Sequence, residues 1–75
     1  MKNLVKKQQG AGGFQFALST EKGNTRYGNE KQNAIIEALE NSNTEGVYLT
    51  TKGQIKRQML NGNSQILNSR NVFVS

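Results

Sequence analysis

Two glutamates, Glu37 and Glu40, come closest in this sequence to an acid–base pair. Three positions apart, they share one face of a helix, where one carboxyl group could donate a proton and the other accept it. No pattern of apolar residues buries them, and no spaced partner suggests a metal site. Exposed glutamates on helices are routine, so a solvated acidic face explains the pair better than catalysis does. We therefore predict that the protein is not an enzyme and uses no cofactor or metal.

The chain contains no cysteine and no histidine. Disulfide frameworks, thiol nucleophiles, zinc sites of the Cys/His kind and Ser-His-Asp triads are thereby excluded. The apolar runs are also shorter than a signal peptide or a membrane-spanning helix requires. The sequence therefore predicts a cytoplasmic protein without a membrane partner.

Positive charge is the strongest functional signal, with a net charge of +5 over 75 residues. All the acids lie between residues 21 and 45, whereas residues 1–20 and 46–75 carry cations only. Basic ends around an acidic middle predict a molecule with two electrostatic faces, provided that the fold brings the ends together. Ordinary solvated side chains are the alternative explanation of the same cations.

Nucleic acid is the partner that this charge layout favours. Lysine and arginine bind phosphate and release condensed counterions, so a cluster of cations binds DNA or RNA. Nearby amide side chains, such as Gln54 and Gln58, could hydrogen-bond to base edges, although amides also suit turns and caps. The predicted contacts lie in the N-terminal arm and between residues 52 and 70, at Lys2, Lys6, Lys7, Lys52, Lys56, Arg57 and Arg70.

A protein partner is the alternative that the same sequence supports. The chain would then be a small inhibitor or assembly protein, of the kind that phages and mobile elements encode. Glu30, Glu37 and Glu40 would form an acidic helix face that orients a basic partner. Hydrophobic residues make up only 33% of the chain, so a homodimer that completes a small core is also an open alternative.

The clearest structural element is a helix from Asn29 to Ser42. Asn29 is a typical N-cap residue, and Gly28 interrupts whatever element precedes it. Polar residues from Asn41 onward compete for backbone hydrogen bonds and end the helix. The apolar residues recur at helical spacing on one side, at Ala34, Ile35, Ile36, Ala38 and Leu39.

The N-terminal part is predicted to combine a flexible segment with a strand. Residues 1–13 form a basic, glycine-rich flexible arm or a loosely tied edge strand, because three glycines fall among residues 10–13. Residues 14–75 form a single α+β domain. Its first element is a strand over residues 14–18, where aromatic and aliphatic residues alternate with more polar ones. Residues 25–27 are predicted to return as the second strand of a hairpin.

The C-terminal half is ambiguous after the strand predicted at residues 47–50. Thr51 and Gln54 have capping-box spacing and Gly62 suits a helix end, which favours a second helix over residues 51–61. A further turn of helix at 63–70 would make this a helix-turn-helix. Two tight turns, at Lys52-Gly53 and Asn61-Gly62, would instead give a β-meander over residues 47–67.

The predicted fold is therefore α+β: an N-terminal strand or hairpin, the central amphipathic helix, a further strand, a second helix and a C-terminal strand at residues 72–74. The string from Leu49 to Ile55, LTTKGQI, is similar to the start of the swapped-hairpin DNA-binding antitoxins and transition-state regulators. Those proteins continue with a proline and a basic helix, and this chain has no proline. The sequence is therefore assigned to no family.

Overall fold

One α-helix packs on one face of a six-stranded antiparallel sheet in the computed structural model, which describes residues 3–9, 13–23 and 25–75. The strand order is β1-β2-β3-β4-β5-β6, so each strand pairs with the next one in the chain. The fold is thus α+β, as predicted, but mostly sheet and with a single helix among the described residues. The elements are β1 Asn3–Gln9, β2 Gly13–Ser19, α1 Asn29–Glu40, β3 Thr44–Leu49, β4 Ile55–Met59, β5 Ser64–Leu67 and β6 Phe73–Val74.

The core lies between α1 and the sheet. Phe16 of β2 and Val47 of β3 are register partners, and both are almost completely buried, as is Ile35 of α1. Leu4, Ala38 and Ile55 complete the buried cluster. Because side chains alternate along a regular strand, every second residue faces α1 and the others face away, except where the register of β3 shifts between Thr44 and Gly46.

Helix α1 confirms the predicted apolar stripe but differs at both ends. Asn29 is its first helical residue, and Gly28 is the N-cap in an extended conformation without a side-chain capping bond. The side-chain amide of Gln32 instead donates to the Tyr27 carbonyl at 2.8 Å. The helix ends at Glu40 rather than Ser42, because Asn41 turns to an extended conformation.

The basic N-terminal segment forms the edge strand β1, which was one of its two predicted alternatives. Asn3–Gln9 pairs with β2 along its whole length. Leu4 lies opposite Leu18 and is only 4% exposed, so its burial ties this strand to the core. Of the flexible glycine segment predicted at residues 10–13, the first three residues lie outside the described residues, and Gly13 begins β2.

The predicted hairpin between residues 14–18 and 25–27 is wrong. Strand β2 pairs with β1 along its whole length and with β3 at residues 14–16, and residues 25–27 form no strand. Tyr27 instead packs its ring on Phe16, with a centroid separation of 6.0 Å. Strand β1 offers β2 seven backbone pairs, more than a three-residue return could.

The predicted second helix at 51–61, and with it the helix-turn-helix, is also wrong. The β-meander alternative is observed instead. Gly53 and Gly62 both have positive φ angles, of 83° and 93°, and form tight turns on either side of β4. Strand β4 is paired on both sides, and Ile55 is buried in the core.

The two remaining strand predictions are confirmed, as β3 and β6. Within the described residues, no helix combines the length and the apolar character needed to span a membrane.

Candidate nucleic-acid interface

The sheet face that points away from α1 carries a row of side chains, one from each strand. The strand registers align the members of this row directly with one another. They alternate with the buried residues Phe16, Val47 and Ile55, which places them on the opposite face of the sheet. We call this surface the open face and these residues the open-face row: Lys7, Gln15, Tyr48, Lys56, Ile66 and Val74.

Tyr48 lies between the two cations of the open-face row. With adjacent strands about 4.8 Å apart, Lys7 and Lys56 are separated by three strand spacings, or roughly 14 Å. Lys7 is exposed, whereas Tyr48 and Lys56 are half-buried. The outer end of the tyrosine ring covers Gly46, two positions earlier on the same face. An aromatic ring is thus held against the sheet with a cation on each side.

The acidic residues of α1 lie on the side of the sheet away from the open face. Glu37 and Glu40 are exposed on α1, on the other side of the molecule, and Glu30 lies in the first turn of the same helix. The described strand positions that alternate onto the open face include no Asp or Glu. Glu45 is the extra residue where the register shifts between Thr44 and Gly46, and it is exposed at the start of β3. The open face is therefore the basic side of the fold.

Two of the predicted phosphate contacts face α1 instead. The Lys6 ammonium lies 4.8 Å from the centroid of the Phe14 ring. Arg57 follows Lys56 in strand β4 and so points to the opposite face. Because the predicted second helix over residues 51–61 does not form, Lys52 and Lys56 do not lie together on one helix face.

The other predicted contacts lie in turns or outside the described residues. Lys52 lies in the turn between β3 and β4, and Arg70 lies in the turn between β5 and β6. Because β3 to β6 are successive antiparallel strands, these two turns lie at the same end of the sheet. Lys2 lies outside the described residues. The structure thus brings together Lys7 and Lys56 on one face and places Lys52 and Arg70 at one end.

The amide side chains near the predicted contacts have different roles. Asn61 accepts a hydrogen bond from the backbone N–H of Asn63 at 3.0 Å and so stabilises the turn between β4 and β5. Gln54 is exposed in the preceding turn. Gln58 lies on the open face, opposite Gly46 and Ser64. Of these amides, Gln58 therefore lies closest to the open-face row.

A second feature, missed by the sequence reasoning, is a cleft of about 380 Å³ between α1 and strands β4 to β6. Arg57 lines it together with Gln65 and Asn71 from the sheet side. If residues 55–59 are interpreted as a strand, Arg57 falls on the helix-facing side together with Ile55 and Met59. The helix predicted for this segment does not give that position.

No family model matches the sequence, and neither a curated protein nor a solved structure is significantly similar to it. Among the residues that the structure describes, no group of three or more acidic, histidine or cysteine side chains could hold a metal ion. The function has to be inferred from the chemistry of the molecule's own surfaces.

Proposed function

We propose that the protein binds single-stranded nucleic acid across the open face of its sheet. The observation that carries this proposal is the open-face row, in which Tyr48 lies between Lys7 and Lys56. Lysine side chains bind phosphates with release of counterions. Aromatic side chains on an exposed sheet stack on bases of any sequence, and the amide groups of Gln15 and Gln58 lie nearby on the same face.

The dimensions of the sheet favour single strands over duplex DNA. Five strand spacings of about 4.8 Å make the open face roughly 24 Å wide. The major groove of B-DNA is about 12 Å wide and admits a helix or a two-stranded ribbon. The one described helix is a poor reader of the groove, because its exposed Glu37 and Glu40 would repel phosphate.

Two further cations extend the proposed surface. Lys52 and Arg70 lie in turns at the end of the sheet towards which Lys7 also lies, because Gln8 pairs with Phe14 and Phe14 with Leu49. A strand that crosses Tyr48 and continues past this end would meet them as additional phosphate contacts.

The test is fluorescence anisotropy with labelled single-stranded DNA, single-stranded RNA and duplex DNA, each measured over a range of salt concentrations. Lys7→Glu and Lys56→Glu should each weaken single-strand binding and reduce the salt dependence, since each phosphate contact contributes a slope of about −0.7. Tyr48→Leu keeps an apolar cover on Gly46 but removes stacking. It should cost about 1–3 kcal/mol of binding free energy and leave the salt slope unchanged.

Lys22→Glu is the matched control, because it changes the net charge equally and lies in the exposed connection between β2 and α1. Equal weakening by Lys22→Glu and Lys56→Glu would mean that only net charge matters. Tighter binding to duplex than to single strands would contradict the proposed surface. If the partner is instead a basic protein that binds the acidic face of α1, the pattern should be reversed. Glu37→Lys should then abolish binding of that protein, and Lys56→Glu should have little effect on it.

A further inference from the structure

The cleft between α1 and strands β4 to β6 carries two opposite charges that do not pair with each other. Glu37 lines it from the helix and Arg57 from the sheet. The arginine donates its hydrogen bonds to Thr44 and Gln65 instead. We propose that this cleft binds a small zwitterion, an α-amino acid with an aliphatic side chain, independently of the nucleic-acid surface on the open face.

Arg57 is held in position from two sides. Its Nε donates to Thr44 Oγ1 at 2.7 Å, and its Nη1 donates to Gln65 Oε1 at 3.0 Å. Both partners are side chains of neighbouring strands, with Gln65 directly opposite Arg57 in the register. A guanidinium group has five N–H donors, so three remain after these two bonds. Such a fixed group with donors to spare suits a carboxylate, which it can bind through two parallel hydrogen bonds.

The β-bulge in strand β3 is what brings Thr44 to this arginine. Regular alternation from the buried Val47 would turn Thr44 to the open face. The register shift between Thr44 and Gly46 adds one residue and pairs Thr44 with Met59, on the same face as Arg57. Bulges commonly redirect a side chain next to a functional site. The arginine is therefore positioned by an irregularity of the strand and not by chance packing.

Glu37 limits which anions the cleft accepts. It is an exposed residue of α1, so its carboxylate is available to a ligand. A phosphate or another multiply charged anion at Arg57 would be repelled by the Glu37 carboxylate across the cleft. A ligand with an ammonium group beside its carboxylate would satisfy both charges. The pair Arg57 and Glu37 therefore favours a zwitterion over a simple anion.

The apolar residues of the cleft indicate the rest of the ligand. Ala34 and Ala38 line it from α1, and Val72 and Phe73 line it from the end of the sheet. Val72 is 53% exposed, so its side chain is accessible to a ligand in the cleft. The cleft's volume of about 380 Å³ is at the lower end of the range of about 300–1,000 Å³ that small-molecule sites occupy.

The turn that carries Val72 is held in place by Asn68. Its Oδ1 accepts hydrogen bonds from the backbone N–H groups of Arg70 and Val72, at 2.9 and 3.1 Å. The same turn places Asn71, which lines the cleft, at a φ of 61°. Asparagine tolerates this left-handed conformation better than most residues do. One wall of the cleft is therefore preorganised before any ligand binds.

The experiment is a titration followed by the backbone amide shifts of the full chain in ¹H–¹⁵N correlation spectra. The probes are L-leucine, 4-methylpentanoate, which is leucine without its ammonium group, and isoamylamine, which is leucine without its carboxylate. We expect L-leucine to shift the amides around the cleft, and each of the other two to bind at least about tenfold more weakly. A cleft that gives no shifts with L-leucine at tens of millimolar would overturn the proposal.

Variants separate the two charges. Glu37→Gln should weaken L-leucine about tenfold, because its ammonium group loses a charged partner. The same variant should bind 4-methylpentanoate more tightly, because this anion no longer faces a like charge across the cleft. Glu40→Gln is the matched control, since Glu40 is exposed on the same helix and does not line the cleft. Arg57→Lys should weaken the binding of both carboxylate ligands. If the Arg57→Lys variant does not fold, Glu37→Gln still tests the proposal. Equal weakening of both ligands by Glu37→Gln would overturn the assignment to a zwitterion.

Discussion

The ring of Tyr48 lies over Gly46 on the open face of the sheet. A β-carbon at residue 46 would come within 2.7 Å of the phenolic oxygen and 2.9 Å of Cζ. Gly46 is not among the glycines with positive φ, which are Gly53 and Gly62 in the described part of the chain. The ring and not the backbone conformation therefore requires glycine at this position.

Gly46→Ala should force the tyrosine ring away from the sheet. Real β-carbons do not approach other atoms this closely, so the ring must move or the strands must shift. We expect a loss of about 1 kcal/mol in the free energy of unfolding, at the lower end of the cost of overpacking, because the atoms in the way are the far end of a side chain that can swing towards solvent. Urea denaturation measures it, and single-strand affinity should fall in the same variant because the stacking surface is displaced.

A double-mutant cycle isolates this contact. In a Tyr48→Ala background, Gly46→Ala should cost much less, because the space above residue 46 is then empty. The same cost in both backgrounds would show that alanine strains the strand and not the ring.

Thr44→Val tests the bond that the β-bulge creates. Valine has nearly the same shape but leaves Arg57 Nε without the acceptor that it contacts at 2.7 Å. A hydrogen bond to a charged group at a half-buried site contributes about 1–3 kcal/mol, which should appear as reduced stability in urea. Thr51→Val, in the exposed turn after β3, is the control and should change little. Equal effects of the two substitutions would contradict the role given to Thr44.

Ile35→Ala should be the most damaging single truncation on α1. Ile35 is completely buried, and removing such a side chain costs about 2–5 kcal/mol. At about 0.05–0.15 kcal/mol per residue, a domain of this size has roughly 4–11 kcal/mol in total. Thermal unfolding followed by circular dichroism should therefore show a large fall in Tm, or no folded state. Leu60→Ala, at a side chain that is 66% exposed, should stay within about 0.5 kcal/mol.

The helix could be predicted from the sequence because its signals are local. Ile35 and Ala38 recur at helical spacing, and both are buried in the structure. The segment around β4 carries two patterns at once, since Ile55 and Met59 fit a helical face as well as a strand. Pairing with β3 and β5, together with the two glycines at positive φ, makes this segment a strand. Neither feature can be recognised from residue propensity alone.

The candidate surfaces could be predicted only in part, because they also depend on how the strands pair. The cations can be identified from the sequence. Their faces cannot, because Lys56 and Arg57 are neighbours in a strand and therefore point to opposite faces of the sheet. The alignment of Lys7 with Tyr48 depends on how β2 pairs with β1 and β3, which is a long-range property. The hydrogen bond between Thr44 and Arg57 depends on the β-bulge, and the residue types in β3 do not predict that bulge.

Tyr27 should make the protein less stable in alkali. Its ring packs against Phe16 at a centroid distance of 6.0 Å, and the Lys31 ammonium lies 5.2 Å from its centroid. Burial raises the pKa of Tyr27 above its ordinary value of 10.0. The unfolded chain therefore loses this proton at a lower pH than the folded chain does. Between the two pKa values the unfolded state binds fewer protons, so the free energy of unfolding falls as pH rises.

Tyr27→Phe removes this ionisation while keeping the ring. Urea denaturation from about pH 8 to about pH 11 should show that the wild type loses stability more steeply than Tyr27→Phe once the pH passes the unfolded pKa of about 10. Below that pH the difference between the two proteins should be constant, because Tyr27 is neutral in both states. Parallel curves over the whole range would mean that the hydroxyl of Tyr27 ionises as readily in the folded protein as in the unfolded chain, and that other groups cause the alkaline loss.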